Sequence, residues 1–212
     1  MIKTTKILVE ELNNYSQPVN KIYRMIKNKE IFPIVQGIYE TNEHVDPFYI
    51  ASVICNPSYI SFESALSYYG LIPEGVYATT CASFKKRKTH KYSTNFGAFI
   101  FEDVPKQVYP YGIELVVVDK NYSYQIATKE KALCDKLYKL PAISNKEELE
   151  KMLFNYLRID EDILYTFDIN LLALLSEKYH SKNVTLLYKF LRRKNNEYNR
   201  WSYDFKIQPN RY

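Results

Sequence analysis

The chain has 212 residues, of which 46% are hydrophobic and 25% charged, a balance typical of one ordinary folded domain or two small ones. This composition excludes wholesale disorder, and no apolar run approaches the roughly 20 residues of a membrane-spanning helix. The formal charge of +5 permits a nucleic-acid partner without requiring one.

Other motifs exclude further classes of protein. The cysteines Cys55, Cys81 and Cys134 are odd in number and widely spaced, which argues against a disulfide framework and fits a reducing cytoplasm. The N-terminus reaches Glu10 and Glu11 without an apolar core, so we expect no signal peptide and a cytoplasmic location. The 5 glycines lie too far apart for a Walker loop or a dinucleotide fingerprint.

Two short amphipathic helices are predicted first along the chain. In the segment from Thr5 to Asn14, one face carries the apolar Ile7, Leu8 and Leu12. A second helix is predicted from Pro18 to Asn28, with Ser16 as its N-cap. Its predicted buried stripe consists of Val19, Ile22, Tyr23 and Ile26. The opposite face presents Asn20, Lys21, Arg24, Lys27 and Asn28.

A β-hairpin is predicted next. Two short apolar runs, Phe32 to Val35 and Ile38 to Thr41, flank a Gln36-Gly37 turn. Two helices followed by a hairpin form the tail half of a winged helix. Residues 1–45 are therefore predicted to be a winged-helix-like DNA-binding head.

The outer face of the second helix suits double-stranded DNA. Asn and Arg side chains form two-point contacts with purine edges, so we assign Asn20 and Arg24 to bases. Lys21 and Lys27 are assigned to phosphates, and Gln17 lies on the same side. The hairpin tip at Gln36 and Gly37 would offer a polar side chain and a backbone amide to phosphate. The alternative interpretation is an ordinary solvated face.

Residues 46–140 are predicted to form a mixed sheet-and-helix middle domain. The segments Val76 to Thr80, Phe96 to Phe101 and Ile113 to Val118 are rich in β-branched and aromatic residues and indicate strands of one sheet. Between two of them lies a basic cluster that consists of Lys85, Lys86, Arg87 and Lys88. Such a loop suits a phosphate backbone, and equally a soluble hairpin tip.

Residues 141–212 are predicted to be a helical C-terminal region. Helices are indicated at Lys146 to Leu157, Asn170 to Tyr179 and Asn183 to Lys194, with Asp168 or Asn170 and then Asn183 as caps of the last two. The final 36 residues hold nine Lys and Arg against three Asp and Glu. Their excess of cations fits a helix C-terminus as well as a DNA contact. The predicted fold class is α+β.

No catalytic constellation is evident. The three histidines are far apart, and no zinc-type spacing or nucleophile elbow occurs. Glu114 and Asp119 flank one predicted strand and Glu102-Asp103 ends another, yet the full spacing of a metal nuclease is absent. We expect no catalytic residue, metal or cofactor, and a metal-dependent nuclease stays the weakest alternative.

Three segments resemble the AbiEi family of abortive-infection antitoxins. They are the hairpin Gln36-Gly37-Ile38-Tyr39, the stretch from Tyr49 through Ser61-Phe62-Glu63-Ser64-Ala65-Leu66 to Pro73, and Ile126 to Asp135. Their order and separations also match, over about residues 1 to 140. In the latter two segments Ser61 and Thr128 are predicted helix caps, Gly70 a left-handed helix end, and Ala132, Leu133 and Leu137 a buried side.

The resemblance implies the antitoxin of a bacterial type IV toxin–antitoxin system, not an enzyme. Such a protein represses its own promoter through an N-terminal winged helix and counters a nucleotidyltransferase-like toxin without a stable complex. The DNA contacts would fall on the Pro18 to Asn28 helix and on Gln36, Gly37 and Tyr39. A full winged helix has three helices before its hairpin, and only two are predicted here. A protein-interaction module with a degenerate winged helix and no DNA role therefore stays open.

Overall fold

The computed structural model describes residues 1–84 and 87–206. Within these ranges the protein is a mixed α+β structure with nine α-helices, a three-stranded sheet and a six-stranded mixed sheet. The predicted α+β class and the helical C-terminal region are confirmed. None of the described helices is both long and apolar enough to cross a membrane.

The chain forms two compact units, each assembled from separate segments. Unit 1 consists of Met1–Ile60, Val76–Val104 and Glu114–Ile126. Unit 2 joins Ser61–Gly75 and Pro105–Ile113 to the chain from Ala127 onward. The domain boundaries predicted after residues 45 and 140 stay predictions.

Unit 1 begins with two helices and a small antiparallel sheet. These elements, together called the head, are β1 Ile2–Thr4, α1 Thr5–Glu11, α2 Pro18–Lys27, β2 Phe32–Val35 and β3 Ile38–Glu40. Strand β3 lies between β1 and β2. The two predicted helices and the hairpin are confirmed, while β1 was not predicted. This strand has three residues, too few to show a clear alternation of apolar and polar side chains.

The two helices of the head start differently. Thr4 caps α1, because its side-chain oxygen accepts a hydrogen bond from the backbone N–H of Ile7 at 3.3 Å. Helix α2 has Gln17 as its N-cap residue, so the prediction of Ser16 is wrong. Pro18 disfavours the helical conformation in the residue before it, and Gln17, with φ of −137° and ψ of 76°, is therefore the boundary of the helix.

The larger sheet contains the predicted middle strands. Its members are β4 Ser58–Ile60, β5 Ala78–Ser83, β6 His90–Thr94, β7 Gly97–Asp103, β8 Ile113–Val117 and β9 Ser123–Ala127, and α3 Pro47–Ile54 precedes them. The order across the sheet is β6-β7-β5-β4-β9-β8, with parallel β5–β7 and β4–β9 pairs. The predicted grouping of three segments into one sheet is confirmed, and Phe99 and Phe101 are buried in it.

A buried carboxylate links the end of β3 to the β8–β9 hairpin of unit 1. Glu40 accepts hydrogen bonds from the backbone N–H groups of Thr41 at 2.7 Å and Asn42 at 3.0 Å, from the Tyr122 hydroxyl at 3.0 Å, and from the Met1 amine. Burial raises the pKa of Glu40, but these bonds outweigh it and lower the pKa below its ordinary value. Burial and the bond to Glu40 raise the pKa of Tyr122 to about 12.

Unit 2 is mostly helical. It contains α4 Phe62–Tyr68, α5 Lys129–Lys139, α6 Lys146–Glu150, α7 Glu161–Leu164, α8 Ile169–Tyr179 and α9 Lys182–Lys206, with a 3-10 helix at Lys106–Val108 and a π-helix at Lys151–Tyr156. The helix predicted from Lys146 to Leu157 is therefore divided between α6 and the π-helix. Thr128 caps α5 and Asp168 caps α8, as predicted.

Other capping predictions have mixed outcomes. Gly70 follows α4 with φ of +70°, which confirms the predicted left-handed end. Ser61 precedes α4 but makes no capping bond, because its hydroxyl donates to Asp135 Oδ2 at 2.6 Å. Asn183 lies inside the first turn of α9, and its amide instead donates to the carbonyls of Leu137, Leu140 and Pro141. The capping predictions for Ser61 and Asn183 are therefore wrong.

Helix α5 carries a buried ion pair. Lys131 and Asp135 have 0% exposed side chains, and Lys131 Nζ lies 3.5 Å from Asp135 Oδ1. The same ammonium donates to the Tyr179 hydroxyl at 2.7 Å and to the Val108 carbonyl at 3.1 Å, while the Tyr179 hydroxyl donates to Asp135. Burial lowers the pKa of Lys131, and Asp135 opposes that shift. The predicted apolar residues of this helix, Ala132, Leu133 and Leu137, are also buried.

Candidate nucleic-acid interface

The inner side of α2 belongs to the core of the head. Leu8, Ile22 and Ile31 are buried together, and partly buried side chains pack against them, namely Val9, Leu12, Met25, Ile26 and Tyr39. Helix α2 therefore rests on an arc through Ile22, Met25 and Ile26. Successive residues of a helix are rotated by about 100° around its axis, so the residues that flank this buried arc are exposed.

The predicted inner faces of both head helices are partly wrong. Val19 is 50% exposed and Tyr23 66% exposed, although both were predicted to be buried. In α1, Ile7 is 43% exposed, while Leu8 is buried. In each helix the buried arc is narrower than the apolar stripe in the sequence, and in α2 it is displaced toward Met25.

The outer side of α2 holds the predicted DNA-contacting residues. Gln17, Asn20, Arg24 and Lys27 are all exposed. The Asn20 amide donates a hydrogen bond to the side-chain oxygen of Gln17, so these two polar groups form one pair at the start of the helix. The bond fixes the position of a donor and an acceptor on the exposed surface, where each retains further hydrogen-bonding capacity.

The cations of α2 differ in how they are paired. Lys21 Nζ lies 4.0 Å from a Glu30 carboxylate oxygen and 5.8 Å from the centre of the Tyr15 ring. Arg24 and Lys27 form no ion pair with any side chain in the described ranges. Helix α2 itself contains no acidic residue. Its uncompensated positive charge is therefore concentrated on Arg24 and Lys27.

The hairpin turn is attached to the start of α1. The Gly37 carbonyl accepts hydrogen bonds from the Thr5 backbone N–H at 2.9 Å and from the Thr5 hydroxyl at 3.2 Å. Gly37 has φ of +78°, a conformation that favours glycine in this two-residue turn. The Gln36 side chain is exposed, whereas Tyr39 is half-buried on the central strand β3. Gln36 is thus the more accessible of the two side chains.

The second basic cluster lies between β5 and β6 of unit 1. Arg87 and Lys88 are exposed, and neither pairs with a described acidic side chain. Arg87 has φ of +57°, so the chain turns sharply there. Lys85 and Lys86, the other two predicted members of the cluster, lie outside the described residues. The cluster and α2 belong to the same compact unit.

Two side chains that sequence reasoning did not assign to this surface adjoin its cations. Val19 and Tyr23 lie on the exposed side of α2, next to Asn20 and Arg24 in the chain. A tyrosine hydroxyl donates to phosphate, and an aliphatic side chain contacts the methyl group of thymine. Met25 is the sequence signal for their exposure. It is apolar and lies on the side of α2 opposite to Tyr23, so it indicates a buried face that is turned away from Tyr23.

Two of the carboxylates considered for a nuclease accept local hydrogen bonds, and one of them, Glu102, accepts from the Thr89 hydroxyl at 3.0 Å. Asp119 closes the β8–β9 turn, because its side chain accepts hydrogen bonds from the backbone N–H groups of Asn121 at 2.6 Å and Tyr122 at 3.1 Å. Among the residues that the structure describes, no three His, Cys, Asp or Glu side chains are grouped so as to hold a metal ion. Burial raises the pKa of the Cys134 thiol, which disfavours a thiolate there.

Comparison with known proteins adds no relative. No model of a known protein family matches the chain, and no curated protein is significantly similar to it.

Proposed function

We propose that this protein is a DNA-binding transcriptional autorepressor and the antitoxin of a bacterial abortive-infection, type IV toxin–antitoxin system. The single observation that carries the DNA-binding role is the outer side of α2, where Arg24 and Lys27 are exposed and lack a carboxylate partner among the described residues. An unpaired cationic helix face of this kind attracts the phosphate backbone of DNA. The antitoxin role draws on the AbiEi-like motifs.

The head is proposed to act as a winged helix. Its order of strand, two helices and hairpin supports this, as does the position of β3 between β1 and β2. In this arrangement α2 is the recognition helix and the β2–β3 hairpin is the wing. The two helices and β1 complete the module without the additional helix of a full winged helix.

Each side chain of the surface takes a role that its chemistry permits. Arg24 reads guanine through its two parallel N–H groups, and the Gln17–Asn20 pair reads adenine. Lys27 contacts phosphate, and Lys21 contributes less because Glu30 is near. Gln36, in the wing, donates a hydrogen bond to the DNA phosphate backbone. Arg87 and Lys88 contact further phosphates of the DNA.

Fluorescence anisotropy with double-stranded DNA from upstream of the protein's own reading frame tests the DNA-binding role. Arg24→Ala with Lys27→Ala should weaken binding and reduce the slope of log affinity against log salt by about 0.9, because Lys27 is the one of the two that contacts phosphate. The matched control is Lys106→Ala with Lys151→Ala, which removes the same charge from exposed positions in unit 2. Equal affinity of the wild type and the α2 variant would refute the assignment.

The antitoxin role needs a separate readout. Coexpression with a nucleotidyltransferase-like protein encoded beside this chain should restore growth, although the two proteins do not copurify. The Arg24→Ala and Lys27→Ala double variant should restore growth equally while it derepresses a promoter reporter. A double variant that neither restores growth nor represses the promoter would be misfolded. Failure of both the wild type and the variant to restore growth would refute the antitoxin role.

The exposed edge of the larger sheet favours a second candidate function, that of a protein-interaction module. Strand β8 is an edge strand in the described sheet, and Leu115, Val117 and the following Val118 are exposed. Edge strands bind extended segments of other proteins by adding a strand. Under this function, the protein encoded beside the chain would copurify with the wild type and not with the double variant Leu115→Lys plus Val117→Lys. In a gel-shift assay at low salt, the protein would not retard DNA.

A further inference from the structure

A cleft in unit 2 has the composition of an anion-binding site. It has a volume of about 320 Å³ and lies where α8 ends and α9 begins. Its lining residues are Ile143, Ser144, His180, Ser181, Lys182, Thr185, Leu186 and Lys189. The volume falls in the range of about 300–1,000 Å³ typical of small-molecule sites.

The walls of this cleft are held in place by buried and half-buried hydrogen bonds. Asn183, which is 3% exposed, accepts from the Ile143 backbone N–H at 2.8 Å and donates to the Leu137 carbonyl at 2.9 Å. It thereby fastens the loop before α6 to the first turn of α9. On the other side, the Ser176 hydroxyl donates to the Thr185 hydroxyl at 3.2 Å. The shape of the cleft is therefore present before any ligand binds.

The lysine and histidine side chains of the cleft have no charged partner in the described ranges. Lys182, Lys189 and His180 are exposed, and their side chains form no hydrogen bond or ion pair with another residue in the described ranges. Neighbouring lysines do pair, since Lys178 lies 3.0 Å from Glu177 and Lys146 lies 3.5 Å from Glu150. The cleft therefore concentrates positive charge that the fold leaves uncompensated.

The remaining lining groups complement this charge. Ser144, Ser181 and Thr185 supply hydroxyl donors, and the first turn of α9 contains no acidic residue. Lys182 and Lys189 are seven residues apart, so they share a face of α9 at a spacing of about 10 Å. Ile143 and Leu186 form an apolar wall beside the polar groups.

We propose that this cleft binds the phosphate groups of a small phosphorylated molecule up to the size of a nucleotide. Lys182 and Lys189 contact the phosphate oxygens from two positions along one face of α9, and His180 with the three hydroxyl groups donates further hydrogen bonds. Ile143 and Leu186 pack against the less polar part of the ligand. This site is separate in sequence from the α2 surface and does not depend on the DNA-binding role.

Calorimetric titration of the full chain with pyrophosphate and with a nucleoside diphosphate, at constant ionic strength, tests the proposal. Both are expected to bind the wild type, and tighter binding of the nucleotide would identify the apolar wall as part of the site. Lys182→Ala with Lys189→Ala should weaken binding by roughly tenfold or more, because charge-assisted hydrogen bonds are lost. The control Arg192→Ala with Arg193→Ala removes the same charge from exposed positions of α9 outside the cleft.

Retained binding in the control and lost binding in the cleft variant would support the site. No binding to the wild type, or equal loss in both variants, would overturn it. Weaker promoter binding by the cleft variant with unchanged pyrophosphate binding would also overturn it, because the lysines would then contact DNA. Amide chemical shifts of Ser144, Ser181 and Thr185 in the wild type provide a readout that does not depend on either variant.

Discussion

Helices α2 and α5 place positive charge in opposite environments. In α2 the guanidinium of Arg24 and the ammonium of Lys27 are exposed and unpaired within the described structure. In α5 the Lys131 ammonium has 0% exposure and is surrounded by Asp135, Tyr179 and the Val108 carbonyl. Arg24 and Lys27 can therefore contact an external anion, whereas the charge of Lys131 is compensated by partners inside the fold.

This difference teaches that residue type does not identify a functional cation. A buried ammonium must recover its lost hydration from partners, and removing one partner leaves an uncompensated charge. An exposed cation keeps its hydration, so its removal costs little stability and acts mainly on binding. The four predictions that follow extend this contrast to buried and exposed polar groups in general, beginning with the largest expected change in stability.

Lys131→Met should lower the free energy of unfolding by about 3–5 kcal/mol, because Asp135 would remain as a buried carboxylate without its cation. Urea denaturation monitored by circular dichroism measures this change. Lys27→Met makes the same chemical substitution on α2 and should change the free energy by less than about 0.5 kcal/mol. Similar values for the two variants would contradict the comparison.

Ser61→Ala should cost about 1.5–3 kcal/mol, since it removes the hydroxyl that donates to buried Asp135 at 2.6 Å. The control is Ser16→Ala in the head, where the exposed serine is not the N-cap of α2. That variant should stay within about 0.5 kcal/mol of the wild type in the same urea titration. A loss of about 1 kcal/mol there would restore Ser16 as a cap.

The bond between Tyr122 and Glu40 in unit 1 should make the stability of the protein depend on pH in alkaline solution. The pKa of Tyr122 is raised from 10.0 to about 12 in the folded state, by burial and by its bond to Glu40. The folded state therefore keeps its proton when the unfolded state has lost it, and stability contributed by the hydroxyl falls as pH rises from 10 to about 12. Urea midpoints should fall more steeply over this window in the wild type than in Tyr122→Phe.

A matched variant isolates this effect from general alkaline denaturation. Tyr156 is exposed, so Tyr156→Phe should follow the wild-type profile across the same pH range. Identical profiles for Tyr122→Phe and the wild type would exclude a stabilising bond between Tyr122 and Glu40.

Arg24→Ala with Lys27→Ala should have the smallest effect on folding, less than about 0.5 kcal/mol, because neither side chain has a partner to lose in the described structure. Thermal and urea unfolding of the variant should therefore overlay those of the wild type. A substantial loss of stability would show that these cations support the fold, and any loss of DNA binding would then need a structural explanation.

Local signals predicted much of the fold. Thr128 and Asp168 lie directly before α5 and α8, and their side chains accept hydrogen bonds within the first turn of each helix. The Gln36-Gly37 turn likewise formed between adjacent strands. Such features depend on residues only a few positions apart, so their chemistry is visible in the sequence.

Long-range partners explain what the sequence did not reveal. Ser61 has the chemistry of a cap, but Asp135, 74 residues away, accepts its hydrogen bond instead. Lys131 and Asp135 appear in a charged stretch that suggests a solvated face, yet a tyrosine 48 residues beyond Lys131 completes their burial. No local pattern distinguishes these residues from exposed ones.

The candidate DNA surface was predictable only in part. Helical periodicity placed Gln17, Asn20, Arg24 and Lys27 on the outside of α2, and they are exposed. Which cations stay unpaired depends on tertiary contacts, because Glu30 from the following turn lies near Lys21. The exposure of Tyr23 and Val19 depends on how α2 is rotated against Leu8 and Ile31.

The attachment of Gly37 to Thr5 has a consequence for the entropy of binding. Two hydrogen bonds hold the hairpin turn against α1, so the turn is already ordered before it meets a partner. A mobile loop would lose conformational freedom on binding and would weaken the complex by that amount. Replacing Thr5 with alanine removes the side-chain bond, and the proposed wing would then incur part of this ordering cost each time it binds DNA.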